Sequence, residues 1–234
     1  MCSVLIFNTN KMDKLKISFL KEIFVQSKIR GLHSTGFSFI DKNEKLKSFH
    51  FNKPADEVMD EFDFSEVDGI ENFKLIGHTR YSTSDIKYPQ PIFDSNSSLV
   101  HNGIITQKDP SFWNDIYKFD FKTKNDSEIL FHEMKKNFNP FFSNEASVAG
   151  GFLDVEKGLF AFRNGKRPLY VSIFDDLITF TSTKDILLRA NEAMPKCLLE
   201  QKLLVPGFIY KIDKQNISEL FVKQIIDNND CFSR

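Results

Sequence analysis

The sequence predicts a single α+β domain, rich in strands, with two or three amphipathic helices. Three observations carry that prediction. Short apolar, β-branched segments bounded by turn residues recur along the chain. Apolar residues at three- and four-residue spacing mark only a few segments as helical. With 234 residues, 41% of them hydrophobic, the chain can bury a full core without disulfide staples. Nothing repeats, and no Pro/Gly/Ser-rich linker divides it. One domain over 1–234 is therefore expected, with 218–234 as a peripheral tail.

The elements follow in order. Ser3 to Phe7 is β-branched and apolar and reads as a strand ending at Asn8-Thr9-Asn10. Leu15, Phe19 and Ile23, with Leu20 and Phe24, repeat at helical spacing up to Ile29, and Gly31 stands where a helix C-cap is expected. Gly36–Ile40 alternates as a strand, Lys45–Phe51 is its expected partner, and Pro54–Phe62 reads as a short helix. Lys74–Thr79 is a strand entering a polar loop from Ser82 to Asp94. Ser98–Thr106 holds two apolar runs around Asn102-Gly103, the usual signal of a tight hairpin. A second helix starts near Asn125-Asp126-Ser127-Glu128. Strands follow around Ser147–Leu153, Leu159–Arg163, Leu169–Phe174 and Leu177–Thr181. A third helix opens at Ser182-Thr183-Lys184-Asp185, and Phe208–Ile212 is a last strand. The 26 phenylalanines read as core and sheet filling.

Composition excludes several classes. Lys and Arg total 31 against 32 Asp and Glu, a net charge of −1, so no nucleic-acid partner is expected. No apolar run approaches the ~20 residues of a membrane span. The first ten residues do not form a signal peptide. Cys2, Cys197 and Cys231 are odd in number and far apart, which suits a reducing, cytoplasmic location. His33, His50, His78, His101 and His132 show no metal-ligand spacing, and no metal site or cofactor is expected.

Four features could carry chemistry, and each has a plainer reading beside it. Removal of Met1 would leave Cys2 with both a thiol and an α-amine, a nucleophile and its general base in one residue. An α-amine ordinarily titrates at about 8 and can accept a thiol proton at neutral pH. The plainer reading is a buried cysteine opening a strand. Asn102-Gly103 is a turn, or else an amide and a backbone N–H aimed at a developing oxyanion, with glycine allowing close approach. Arg80, followed by Tyr81-Ser82-Thr83-Ser84, is a surface arginine or a fork for a carboxylate. Asp126 is a helix cap or the anion for a substrate ammonium.

Together these features resemble the class II glutamine amidotransferases, the N-terminal-cysteine glutaminase domains. The matching segments run in that family's order: Met1-Cys2, Arg30-Gly31-Leu32-His33-Ser34-Thr35-Gly36, Gly77-His78-Thr79-Arg80-Tyr81-Ser82-Thr83, His101-Asn102-Gly103 and Asn125-Asp126-Ser127-Glu128. Phe162-Arg163 through Arg167-Pro168-Leu169 resembles the family's Arg-Asp…Arg-Pro-Leu hairpin. Thr181-Ser182 and Val205-Pro206-Gly207 also fall where the family has similar segments. The resemblance implies a four-layer αββα sandwich of the N-terminal-nucleophile hydrolase type, with two mainly antiparallel sheets.

It also implies roles. Cys2 would attack the side-chain amide of L-glutamine, and Asn102 and Gly103 would stabilise the oxyanion. Arg80, helped by Thr83, would bind the α-carboxylate, and Asp126 would bind the α-ammonium. Arg30, Tyr81 and His101 would support the site. Hydrolysis of the thioester would give glutamate and ammonia. The likeness stops with the glutaminase portion, so a stand-alone subunit is expected, its ammonia released or handed to a separate synthase. Two alternatives stay open: a hydrolase of another γ-glutamyl amide, and a catalytically silent glutamine- or partner-binding domain. The departures are His33 where the family usually has Asp, Ser84-Asp85 where some members have His-Gly, and a hairpin two residues shorter.

Overall fold

The computed structural model describes residues 2–81, 89–214 and 216–220. Strand β1 (Ser3–Lys11) is buried from Ser3 to Thr9. A continuous apolar run such as Val4-Leu5-Ile6-Phe7 is what a strand covered on both faces requires. The strand outlasts its expected end at Asn8 because the polar residues find partners. Asn8 Nδ2 donates to the Lys214 carbonyl, and Thr9 Oγ1 donates to Asp176 O at 2.8 Å.

Helix α1 (Lys14–Ser27) is capped by the Asp13 carboxylate, which accepts from Lys16 N–H at 2.8 Å. Its buried face carries Phe19, Leu20, Ile23 and Phe24, whereas Leu15, expected on that stripe, is exposed. A 3₁₀ turn (Lys28–Arg30) ends at Gly31, whose φ of −151° is extended rather than left-handed. Glycine is needed there for close approach, since a Cβ would lie 2.3 Å from the Thr79 carbonyl carbon.

The remaining elements are β2 (Ser34–Ile40), β3 (Leu46–Phe51), α2 (Ala55–Glu61), β4 (Glu71–Arg80), β5 (Ile92–Phe93), β6 (Ser97–Ile104), α3 (Trp113–Tyr117) and α4 (Ser127–Lys136). After them come β7 (Ser147–Asp154), β8 (Gly158–Arg163), β9 (Tyr170–Phe174), β10 (Leu177–Thr181), α5 (Lys184–Ala193), β11 (Leu198–Leu203), β12 (Ile209–Asp213) and β13 (Asn216–Leu220). Ser182, expected at the start of the third helix, instead accepts from Val4 N–H through its Oγ at 2.8 Å and ties β10 to β1.

Every strand pairing is antiparallel among the described residues. They build two sheets, β11-β9-β10-β1-β4-β2-β3 and β13-β12-β8-β7-β6-β5. Three hydrophobic clusters define four layers. Leu5, Phe7, Phe37, Phe39, Phe73 and Leu75 of the first sheet pack with residues of α1, α2 and α5. Val4, Ile6 and Ile76 of the first sheet meet Val100, Ala149, Leu153, Leu159 and Ala161 of the second. The far face of the second sheet, with Leu99, Val148, Phe152, Phe160 and Phe162, packs against α4 and Trp113. The architecture is an α+β sandwich of the αββα kind, as expected from the resemblance.

The phenylalanines fill it. Phe37 is fully buried, and the rings of Phe24, Phe49, Phe51, Phe62 and Phe64 surround it at centroid distances of 5.0–6.0 Å. Phe37→Ala is expected to cost about 3–5 kcal/mol, read from the shift in the urea-unfolding midpoint at unchanged slope.

Candidate active site at one end of the sandwich

Side-chain alternation decides which residues face one another. Val4 and Ile6 point between the sheets while Leu5 and Phe7 point to the helices, so Cys2 continues the inward row of β1. By the same count His78 and Arg80 follow Ile76 on β4, and Asn102 follows Val100 on β6. A Cβ on Gly151 would lie 2.9 Å from Ile6 and 3.2 Å from Ile76, and Ser38 Oγ lies 2.7 Å from Ser98 Oγ. These contacts fix how the sheets face each other. Stepping from them toward residue 2 on β1 also leads toward Arg80 on β4, Asn102 on β6 and Ser147 on β7. The fold therefore gathers Cys2, Arg80 and Asn102 at one end of the inter-sheet space.

Cys2 is half-buried. Arg30 Nε donates to its carbonyl oxygen at 2.9 Å, which anchors the residue just before β1. Burial lowers the Arg30 pKa, Cys2 acts in the opposite sense, and the nearby Arg167 charge lowers it further. Arg80 ends β4 and pairs with Ser34, and its carbonyl accepts from His33 N–H at 2.9 Å. The His33 ring stacks on Tyr81 at a centroid distance of 4.7 Å. Tyr81 is exposed beside it. Thr83, with Ser84 and Asp85, lies outside the described residues.

Behind Arg80, His78 is fully buried, and its ring lies against the His101 backbone. Burial, followed by the charges of Arg80, His101 and His50, drives its pKa down to about 3. It is neutral at physiological pH and adds no second cation beside the arginine.

Asn102-Gly103 does not form the expected hairpin turn. Both residues lie inside β6, paired with Ala149 and Val148 of β7, because apolar residues on either side continue one strand across the sheet. Gly103 has φ +154°, and a Cβ there would sit 1.8 Å from Ser147 O and 2.7 Å from His101 Nε2. Asn102 is buried, and its Nδ2 has no hydrogen-bond partner among the described residues. An amide donor left unpaired in a buried position is uncommon and points to a group reserved for something that binds.

His101 faces away from the inter-sheet space and locks the strand from behind. Its Nε2 lies 3.0 Å from Ser147 O, so that nitrogen carries the proton, and Nδ1 accepts from Ser127 Oγ at 3.0 Å. Burial lowers its pKa although Asp126 acts the other way. Gln90 accepts from His101 N–H at 2.6 Å and donates to His101 O at 3.0 Å. Ser147 Oγ accepts from Ile104 N–H at 2.9 Å and from Arg167 Nε at 3.3 Å.

Asp126 occupies the N-cap position of α4, yet its side chain does not cap the helix. Its Oδ2 accepts from Ile105 N–H at 2.6 Å, tying the carboxylate to the residues just after Gly103, while Asn125 Oδ1 accepts from Ser127 N–H at 3.1 Å. Glu128 holds the preceding loop by accepting from Lys122 N, Thr123 N and Thr123 Oγ1 at 2.7–2.8 Å. Burial alone would raise the Glu128 pKa, but the nearby His132 ring and the hydrogen bonds from Lys122 and Thr123 outweigh it and lower the value.

Gln90 and Ser147 gave no sequence signal. Gln90 stands in a polar loop and Ser147 opens an ordinary strand, and only tertiary pairing reveals what they hold. Among the described residues no group of three His, Cys, Asp or Glu side chains is placed to hold a metal ion. Nor is any helix among them long and apolar enough to cross a membrane.

No protein-family model matches the chain, and no curated protein is significantly similar to it. Solved structures are. The glutamine phosphoribosylpyrophosphate amidotransferase of B. subtilis matches with a TM-score of 0.66 and 19% identity, over 94% of this chain and 49% of that one. A structure described as the allosteric regulatory enzyme of purine biosynthesis matches with a TM-score of 0.68 and 20% identity, over 94% and 49%. A glutamine aminotransferase class-II domain protein from Silicibacter pomeroyi matches with a TM-score of 0.58 and 12% identity, over 94% and 99%. The chain spans about half the length of the first two. It has the fold of these structures, an αββα sandwich of two antiparallel sheets between helical layers.

Proposed function

We propose that the chain is a glutaminase of the class II glutamine amidotransferase type, with Cys2 as nucleophile once Met1 is removed. The observation that carries this reading is the buried, unpartnered Asn102 amide on the inward row that also holds Cys2 and Arg80. In the proposed reaction the Cys2 thiol attacks the side-chain carbonyl carbon of L-glutamine and its α-amine takes the thiol proton. Asn102 Nδ2–H and Gly103 N–H donate to the tetrahedral oxyanion. That proton passes to the departing nitrogen, ammonia leaves, and water hydrolyses the thioester to glutamate. Arg80, with Thr83, binds the α-carboxylate. Asp126 and the Gly103 carbonyl bind the α-ammonium. Arg30 and Tyr81 support the site.

Ammonia would pass to a separate synthase.

Asn102→Ala is expected to lower kcat for glutamine by about 10²–10³-fold. KM should change little and the unfolding midpoint should hold, because Nδ2 spends no hydrogen bond on the fold. Coupled assay of glutamate and ammonia checks this. Turnover of another γ-glutamyl amide in preference to glutamine would redirect the substrate assignment, and tight binding of labelled glutamine without turnover by Met-free protein would favour a sensor.

A further inference from the structure

We propose that Gln90 is a positioning residue for the oxyanion donors, acting through His101 on Asn102; the inference rests on the glutaminase reading. Strand β5 pairs with β6 at Ile92↔Leu99 and Phe93↔Ser98, and continuing that register sets position 90 opposite His101. Pro91 intervenes, has no N–H, and ends the ladder. The Gln90 side-chain amide then replaces the missing strand. Its Oε1 accepts from His101 N–H at 2.6 Å and its Nε2 donates to His101 O at 3.0 Å. With β7 paired on the opposite edge of β6, the peptides flanking position 101 are held from both sides. Asn102, the next residue, is thereby aimed between the sheets.

Nε2 also donates to Ser127 Oγ at 3.1 Å, beside Asp126. The donors form one directed chain: Gln90 Nε2–H to Ser127 Oγ, Ser127 O–H to His101 Nδ1, His101 Nε2–H to Ser147 O. The support behind Gln90 is rigid as well. A Cβ on Gly36 would lie 2.2 Å from Gln90 O, and His50 Nε2 lies 2.7 Å from Pro91 O. Gln90 itself is buried.

The test uses Gln90→Ala, Gln90→Glu and the double variant with Asn102→Ala in the full chain. Gln90→Ala is expected to lower kcat for glutamine by about 10–100-fold, a fraction of the loss of a whole oxyanion donor. In the Asn102→Ala background the same change should cost less than about twofold, the non-additivity of residues acting through one group. Gln90→Glu keeps the acceptor for His101 N–H but turns a carboxylate oxygen toward His101 O. Once protonated, that oxygen becomes a donor again. Its activity relative to wild type should therefore rise as pH falls from about 8 to 5, the range a buried carboxyl facing a carbonyl reaches. The surrounding groups are His101, His50 on β3, His78 and Arg80 on β4, Arg167 and Asp126; wild type shares them all, so the ratio isolates position 90.

A Gln90→Ala kcat within twofold of wild type, full additivity with Asn102→Ala, or a flat Gln90→Glu ratio across pH would each overturn the proposal. If Gln90→Ala does not fold, the Gln90→Glu ratio decides alone. Wild-type protein that releases no glutamate from glutamine defeats the glutaminase reading and this inference with it, whereas an active wild type with indifferent variants defeats the inference only.

Discussion

Cys2→Ala is expected to abolish glutamate release, a loss of at least about three orders of magnitude, since the acyl intermediate of the proposed reaction forms on its thiol. Little else should change. Arg30 holds Cys2 through the backbone carbonyl, which alanine keeps, and the thiol is half-buried at the strand's end. Stability should move by less than about 1 kcal/mol, and labelled glutamine should still bind. Arg80 and Asp126, the residues proposed to hold its two charged ends, belong to other elements. Equilibrium binding beside turnover separates the two effects. Turnover surviving in Cys2→Ala would remove the thiol from the mechanism.

Gly103→Ala should lose both activity and stability. The new methyl carbon would meet Ser147 O at 1.8 Å, well inside any tolerated contact, at a φ of +154° that residues with a side chain rarely adopt. Ser147 cannot retreat cheaply. Its carbonyl accepts from His101 Nε2 and its hydroxyl accepts from Ile104 N–H, so moving it breaks the frame around β6. We expect about 2–4 kcal/mol of destabilisation and at least about a hundredfold lower kcat in the fraction that folds. Gly69→Ala is the control. It has φ +76° but nothing within 4 Å of a Cβ, so it should cost only the backbone penalty of about 1–2 kcal/mol and leave kcat unchanged. Equal damage from both would mean that conformation, not contact with Ser147, governs position 103.

How much of this was legible beforehand depends on how local each signal is. The long strands and helices were readable because their faces are uniformly buried: Val4-Leu5-Ile6-Phe7 fills two interfaces at once, and Phe19, Leu20, Ile23 and Phe24 make one stripe. Strand β11, Leu-Leu-Glu-Gln-Lys-Leu, was missed because it is an edge strand and mostly exposed; hydrogen bonds to β9, not apolar periodicity, make it a strand. α3 is a five-residue helix with Trp113 alone buried, too short for a period to show. Asn102-Gly103 carried a turn signal that the tertiary pairing of β6 with β7 overrode.

For the site, the residues read as chemical were those in recognisable blocks, such as Gly77-His78-Thr79-Arg80 and His101-Asn102-Gly103. Their supports were invisible. The distance along the chain between Ser147 and His101, or the register accident that sets Gln90 against His101, carries no local pattern. Asp126 shows both sides. Its position at a helix start was plain, but only the structure shows that its carboxylate serves Ile105 and not the helix.

The central claim is that Cys2, made N-terminal by removal of Met1, hydrolyses glutamine. The most direct measurement is the intact mass of the purified chain, before and after mixing with glutamine, taken alongside glutamate release. The account predicts a chain lacking Met1, a transient glutamyl adduct on Cys2, and glutamate formed in step with ammonia. A chain that retains Met1 and still turns glutamine over, or a Met-free chain that releases glutamate without Cys2, would contradict it.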